Sequence, residues 1–188
     1  DSSTSRGLGD VYKRQMYIEQ LNEAISLSEK TETSKYAPFF SLSNIKGEKI
    51  TRSSEDFKKK NLLINFWASW GDSISNHRSN TELKEIYQKY KKNKHIAMLG
   101  ISLDMDKQEW QDAIKRDTLN WEQVCDFGGL NSEVAKQYAI KQVPSNILLS
   151  ADGKILAKNL KGEQLKKKIE EVVTAAEEKE KQDNKKKK

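Results

Sequence analysis

The sequence predicts one mixed α/β domain: a central mixed β-sheet with helices on both faces and an N-terminal β-hairpin. Three observations carry this. Leu62 to Trp67 is a near-continuous apolar run, as a central strand covered on both faces requires. Ile96 to Leu103 is a second such run, and between the two lie Leu83, Ile86, Tyr87 and Tyr90, spaced along one face of a helix of about four turns. Finally, Asn146 to Leu149 and Ile155 to Ala157 flank Ala151-Asp152-Gly153, a hairpin signal. Parallel crossovers followed by an antiparallel hairpin and a closing helix give a mixed sheet with helices on both faces.

The remaining elements follow in order. Residues 1–15, DSSTSRGLGDVYKRQ, have no apolar periodicity and end in what looks like translated adapter sequence joined to a truncated reading frame. They are expected to be a non-native leader, with any signal peptide or preceding domain lost upstream. Tyr17, Ile18, Leu21 and Ile25 recur at helical spacing, so Met16 to about Lys30 is expected to be helical, within a helix-and-linker segment spanning 16–36. Phe39 to Leu42 and Lys49 to Thr51 read as a hairpin turning at Asn44 to Gly47. Ser53 or Ser54 can cap a short helix through Phe57. Trp110, Ala113 and Ile114 mark a helix ending near Leu119, and Val134, Ala135 and Tyr138 mark a short one. Leu165, Ile169, Val172 and Val173 build the closing helix. The domain is expected over 37–175, followed by a charged, disordered tail over 176–188.

Composition narrows the functional classes. Apolar residues make up 35% and charged residues 33% of the chain, a balance that points to solvated ends around an ordinary core. The formal net charge of +6 resides partly in the ends. Residues 177–188 carry six lysines against four acids, and residues 1–15 carry three basic residues against two acidic ones. The body is left with no charge excess that would imply nucleic acid as a partner, and Lys185–Lys188 reads as a solvated tail. No apolar run reaches the ~18–20 residues of a membrane-spanning helix. Cys125 is the single cysteine, so no intrachain disulfide can form.

Four segments together carry a family resemblance. They are Ala37-Pro38-Phe39-Phe40-Ser41-Leu42 with Gly47; Asn65-Phe66-Trp67-Ala68-Ser69-Trp70; Gly100-Ile101-Ser102-Leu103-Asp104; and Tyr138 to Ser145 with Val143-Pro144, followed by Asp152-Gly153-Lys154. Over Ala37 to Val173 the chain resembles thioredoxin-like proteins of the TlpA/ResA type, within the alkyl hydroperoxide reductase/thiol-specific antioxidant superfamily. The resemblance implies a thioredoxin-like fold, a bacterial cell-envelope or periplasmic setting, and a cis Val143-Pro144 bond facing the redox turn. It also implies two cysteines at the start of the helix after Trp70. There the helix dipole would lower the first thiol's pKa and the second would resolve the mixed disulfide. Gly71 and Ile74 stand at those two positions, and Asp72-Ser73 lies between them.

A thioredoxin-like frame without its dithiol leads to one expectation and an alternative. The expectation is a redox-inactive binding module that takes a protein or extended peptide at Trp70, Gly71, Asp72, Ser73, Ile74, Val143 and Pro144. The residue before a cis proline can offer its backbone to such a peptide, although Pro144 can equally be a loop-shaping residue only. Trp67 is expected in the core and Trp70 at the border of the site. The alternative is a thiol-dependent oxidoreductase or antioxidant protein working through Cys125 or through partner thiols. Cys125 is otherwise a buried, inert thiol. Ser73 and His77 are four apart and could share a helix face as nucleophile and base, though Asp72, Ser73 or Ser75 serves as readily as a helix cap. His77 and His95 are too separated to support a metal site, and no cofactor is expected.

Overall fold

The computed structural model describes residues 11–23, 25, 32–70 and 73–186. The apolar runs form the centre of a seven-stranded sheet. Its strands are β1 (Ser41–Asn44), β2 (Lys49–Thr51), β3 (Asn61–Trp67), β4 (Ile96–Ser102), β5 (Glu122–Cys125), β6 (Ser145–Leu149) and β7 (Ile155–Lys158). They lie in the order β2-β1-β5-β4-β3-β6-β7. β3 pairs parallel with β4, and β4 with β5, whereas β1, β6 and β7 join antiparallel. Every residue of β3 is buried, and the strand period of two divides them between faces. Leu62, Ile64 and Phe66 enter one core, and Leu63 and Trp67 the other.

The helices described are α1 (residues 11–23), α2 (Ser73–Tyr90), α3 (Lys107–Asp117), α4 (Glu133–Gln137) and α5 (Gly162–Lys186). α2, α3 and α5 cover the Leu63 face with Leu83, Trp110, Ile114, Leu165 and Ile169. The other face is covered by α4 and its following Tyr138, together with Phe57 from the turns after β2. α3 starts on Asp106, which accepts from the Glu109 amide, and stops at Thr118 in the left-handed conformation.

The structure differs from the sequence reading at four places. The helix expected from Ser53 or Ser54 through Phe57 is a series of turns. Ser54 O accepts from both the Phe57 and Lys58 amides (2.9 Å each), and the Arg52 guanidinium donates to Phe57 O, to Lys60 O (2.5 Å), and across to Ser150 O (3.1 Å) and Ala151 O (3.0 Å). The tail expected to be disordered from 176 is instead the end of α5, helical to Lys186. Ala, Glu, Lys and Gln are strong helix formers, and the body holds this extension through Asn93–Glu177 (3.2 Å) and Lys94–Glu180 (2.7 Å).

The leader boundary at 15 falls inside α1, which runs unbroken from 11 to 23. The Tyr17, Ile18, Leu21 and Ile25 edge is exposed, and the part of the Met16–Lys30 reading that falls on 24 and 26–30 lies outside the described residues. The segment read as linker also joins the sheet at its end. Ser34 N donates to Ile155 O (2.7 Å), Ile155 N to Lys35 O (2.8 Å), and Ala37 N to Gly153 O (2.9 Å).

Candidate functional site

The site grows from the end of β3. Past Trp67 the chain leaves the sheet, and Ser69 is fastened to Asp104 at the exit of β4. The Ser69 amide donates to the Asp104 carboxylate at 3.0 and 3.2 Å, and its hydroxyl donates at 2.5 Å. Ser102 Oγ donates to the same carboxylate (2.6 Å), which is fully buried. This network fixes where Trp70 emerges. α2 then begins, and Asn76 Nδ2 reaches back to Ala68 O (3.2 Å), tying the first turns of the helix to the loop.

The two tryptophans separate by environment. Trp67 is buried, with Nε1 donating to Gln123 Oε1 (3.0 Å), whereas Trp70 is 52% exposed. Ile74, in the first turn of α2, is 70% exposed. With Phe39, Met105 and Leu130 they are exposed apolar residues on the strand-end segments at this edge of the sheet.

The second wall comes from β6. Ser145 lies opposite Phe66 in the antiparallel register, so the residues just before it stand beside the end of β3. The Val143–Pro144 bond is cis, and Ser145 Oγ donates to Gln142 O (2.7 Å) across the loop. Between this loop, α2 and the start of α5 lies a groove of about 970 Å³. Ile74, Val143, Pro144, Leu160 and Leu165 supply its apolar lining, and His77, Arg78, Glu82, Glu85, Lys161 and Lys166 its polar lining.

Of the site residues read from sequence, Ile74, Val143 and Pro144 share this groove and Trp70 stands at the preceding turn. Gly71 and Asp72 lie outside the described residues. Ser73 opens α2, but its side chain is likewise outside the description, as is that of Ser75. His77 is exposed on α2, and among the described residues no carboxylate is paired with it. A serine–histidine–acid arrangement therefore has no third member among them.

Cys125 is elsewhere. It pairs with Ser102 across β4, on the opposite side of β3 from Pro144. Its side chain is 2% exposed; Sγ contacts Asp104 O (3.5 Å) and accepts from the Phe127 amide (3.3 Å). Burial pushes this thiol up to about 11, against a smaller opposing effect of the Phe127 amide. His95 stands at the entrance of β4 with its ring 3.2 Å from Glu180 of α5. Among the described residues no cluster of three or more metal-ligating side chains occurs, and no helix is long and apolar enough to cross a membrane.

Asp104 and the charged groove residues are functional candidates that sequence reasoning missed. Asp104 carries a usable signal: an acid two residues past a largely apolar, buried strand has either to be solvated or to be bonded by its neighbours. Arg78 and Lys161 carry none, since basic residues, mostly lysine, are spread throughout this chain.

A turn and helix at the end of a central parallel strand, opposed by a cis-proline loop on the neighbouring antiparallel strand, define the thioredoxin-like class. A family model described as thioredoxin-like matches residues 58–155, and the chain belongs to that family. It is 32% identical over 146 residues to the thiol-disulfide oxidoreductase ResA of Bacillus cereus, covering 78% of this chain and 79% of that protein. Among solved structures, it is 77% identical to a C-terminal domain described as belonging to a thiol-disulfide oxidoreductase of Bacteroides thetaiotaomicron (TM-score 0.76; 78% of this chain and 99% of that one). It is 59% identical to a thiol-disulfide oxidoreductase from Bacteroides fragilis (TM-score 0.71; 73% and 99%).

Proposed function

We propose that this domain keeps the scaffold of a thiol-disulfide oxidoreductase without its dithiol turnover, and that it serves as a protein- or peptide-binding module. The observation that carries the reading is the groove itself. A cysteine-free first turn of α2, carrying exposed Ile74, lines an open, partly apolar cleft together with Val143 and Pro144. Dithiol exchange needs two thiols within one turn of a helix, and the chain has one cysteine in total. With Gly71 and Ile74 at the positions the family uses for sulfur, what remains is a shape that accepts an extended chain. Among the described residues the Val143 amide and carbonyl have no hydrogen-bond partner, which leaves them free to pair with such a chain. Kinship with ResA-type proteins favours a bacterial cell-envelope setting.

The alternative, chemistry through Cys125, has less support, because a buried thiol with its ionisation discouraged is a poor nucleophile. Reduction of insulin by dithiothreitol separates the readings. The binding module leaves the rate at background. Turnover comparable to a dithiol thioredoxin rejects it, and turnover abolished by Cys125→Ser assigns the chemistry to that thiol.

A further inference from the structure

Between the end of β7 and the start of α5 the chain runs through Asn159, Leu160 and Lys161 without strand or helix, and Leu160 and Lys161 line the groove. Asn159 and Gly162 both take the left-handed conformation, at φ 54° and 56°, so the chain leaves the β6–β7 ladder here. The main-chain groups of Leu160 then need another partner. Asn146, a half-buried residue of β6, meets both of them. Its Nδ2 donates to Leu160 O (2.8 Å), and its Oδ1 accepts from Leu160 N (3.2 Å). A side-chain amide can do this because it carries a donor and an acceptor together. The Asn146 carbonyl also takes the Asn159 amide (2.7 Å). Asn146 stands two residues after Pro144, and both line the groove. Glu82 of α2 accepts from the Gly162 amide and fixes the start of α5 separately.

We infer that Asn146 is the positioning residue of this groove: by holding Leu160 it sets the separation between the Pro144 loop and the wall leading into α5, and so pre-forms the cleft that an extended peptide enters. This rests on the peptide-docking reading above and adds what keeps that site in shape. Asn146 acts through Leu160 and need not touch the peptide. Without its side-chain amide, Leu160 N and O turn to water, and the wall has to be ordered anew at each binding event, which weakens affinity. The backbone bond from Asn159 and the buried Leu165 and Ile169 of α5 remain, so the fold survives the loss.

The test uses the whole chain and a fluorescein-labelled extended peptide with a Val-Phe-Val centre, followed by fluorescence anisotropy. Asn146→Ala should bind it about fivefold more weakly than the parent while the thermal melt stays cooperative. Asn93→Ala, which loses a side-chain bond to the far part of the same helix, should bind like the parent. Asn146→Asp separates positioning from a general loss of packing. As a carboxylate it cannot donate to Leu160 O; as a carboxylic acid it regains the donor and acceptor of the amide. Its affinity relative to the parent should therefore recover as pH falls from about 7 to about 4, whereas Asn146→Ala shows no recovery. The aspartate series also decides the matter if the alanine variant does not fold. Unchanged affinity in Asn146→Ala, or no recovery in Asn146→Asp, overturns the positioning role and leaves the docking reading standing. A parent chain that does not bind the peptide overturns both.

Discussion

Ser69 is bound to Asp104 twice, through its amide at 3.0 Å and its hydroxyl at 2.5 Å, and Asp104 is fully buried. The turn that carries Trp70 is thus held by a carboxylate from the neighbouring strand's exit, not by its own sequence. Asp104→Ala leaves Ser69 N, Ser69 Oγ and Ser102 Oγ without their acceptor and should cost roughly 2–4 kcal/mol in urea unfolding. Asp104→Asn keeps the shape and should cost less. Released from its tether, the turn should also shift Trp70 emission to the red, and Trp70→Phe should abolish that shift.

Burial of Cys125 and Tyr138 makes the fold sensitive to alkali. Each group is held neutral in the native state and is free to ionise when unfolded, so the unfolded chain gains as pH rises. Cys125 moves from an ordinary 9.0 to about 11, so its contribution to stability is constant below 9 and falls between 9 and 11, by an upper bound of roughly 2–3 kcal/mol. Tyr138, pushed upward by burial and pulled slightly down by Arg52, adds a further loss above its ordinary 10.0. Urea midpoints measured across this range should fall less steeply in Cys125→Ala than in the parent, and equal slopes would show that the thiol does not contribute.

Arg52 joins the turns after β2 to the β6–β7 hairpin through the carbonyls of Phe57, Lys60, Ser150 and Ala151. No carboxylate is required for this, so the contribution is hydrogen bonding in a half-buried setting. Arg52→Met should therefore cost about 1–3 kcal/mol and be nearly independent of salt. A loss that vanishes at high salt would mark it as an ion-pair effect instead.

The extension of α5 makes a distinguishable prediction. Glu180 is held below the usual carboxylate range, first by the hydrogen bond from Lys94 and then by the charges of Lys94 and His95. That contribution is present above its ordinary value and is lost as pH falls through the lowered one. Deleting residues 177–188 should reduce helical circular dichroism while the melt of the body stays cooperative. Unchanged helicity would mean that this segment is not helical in solution.

The sheet was legible in the sequence because buried strands announce themselves. Leu62–Trp67 and Ile96–Ser102 have no polar face, and Asp152-Gly153 punctuates the final hairpin. Less legible were features set by one side chain acting at long range. Arg52 reaches carbonyls almost a hundred residues away, and nothing in Ser53-Ser54-Glu55-Asp56 announces that bridge. The charge run after Ala176 reads as solvated, yet its residues favour helix and Asn93 and Lys94 hold it. At the site, Ile74, Val143 and Pro144 were nameable from motif, whereas the cations beside them became visible only once α2 and α5 were packed together.

Docking at the groove is tested most directly by titrating the isotope-labelled domain with an extended peptide carrying a Val-Phe-Val centre and following backbone amide resonances. Perturbations should concentrate at Trp70, Ile74, Val143 and Ser145, with Cys125 and His95 unmoved. A spectrum unchanged at saturating peptide, or shifts centred on Cys125, would contradict a surviving redox scaffold that works as a binding surface.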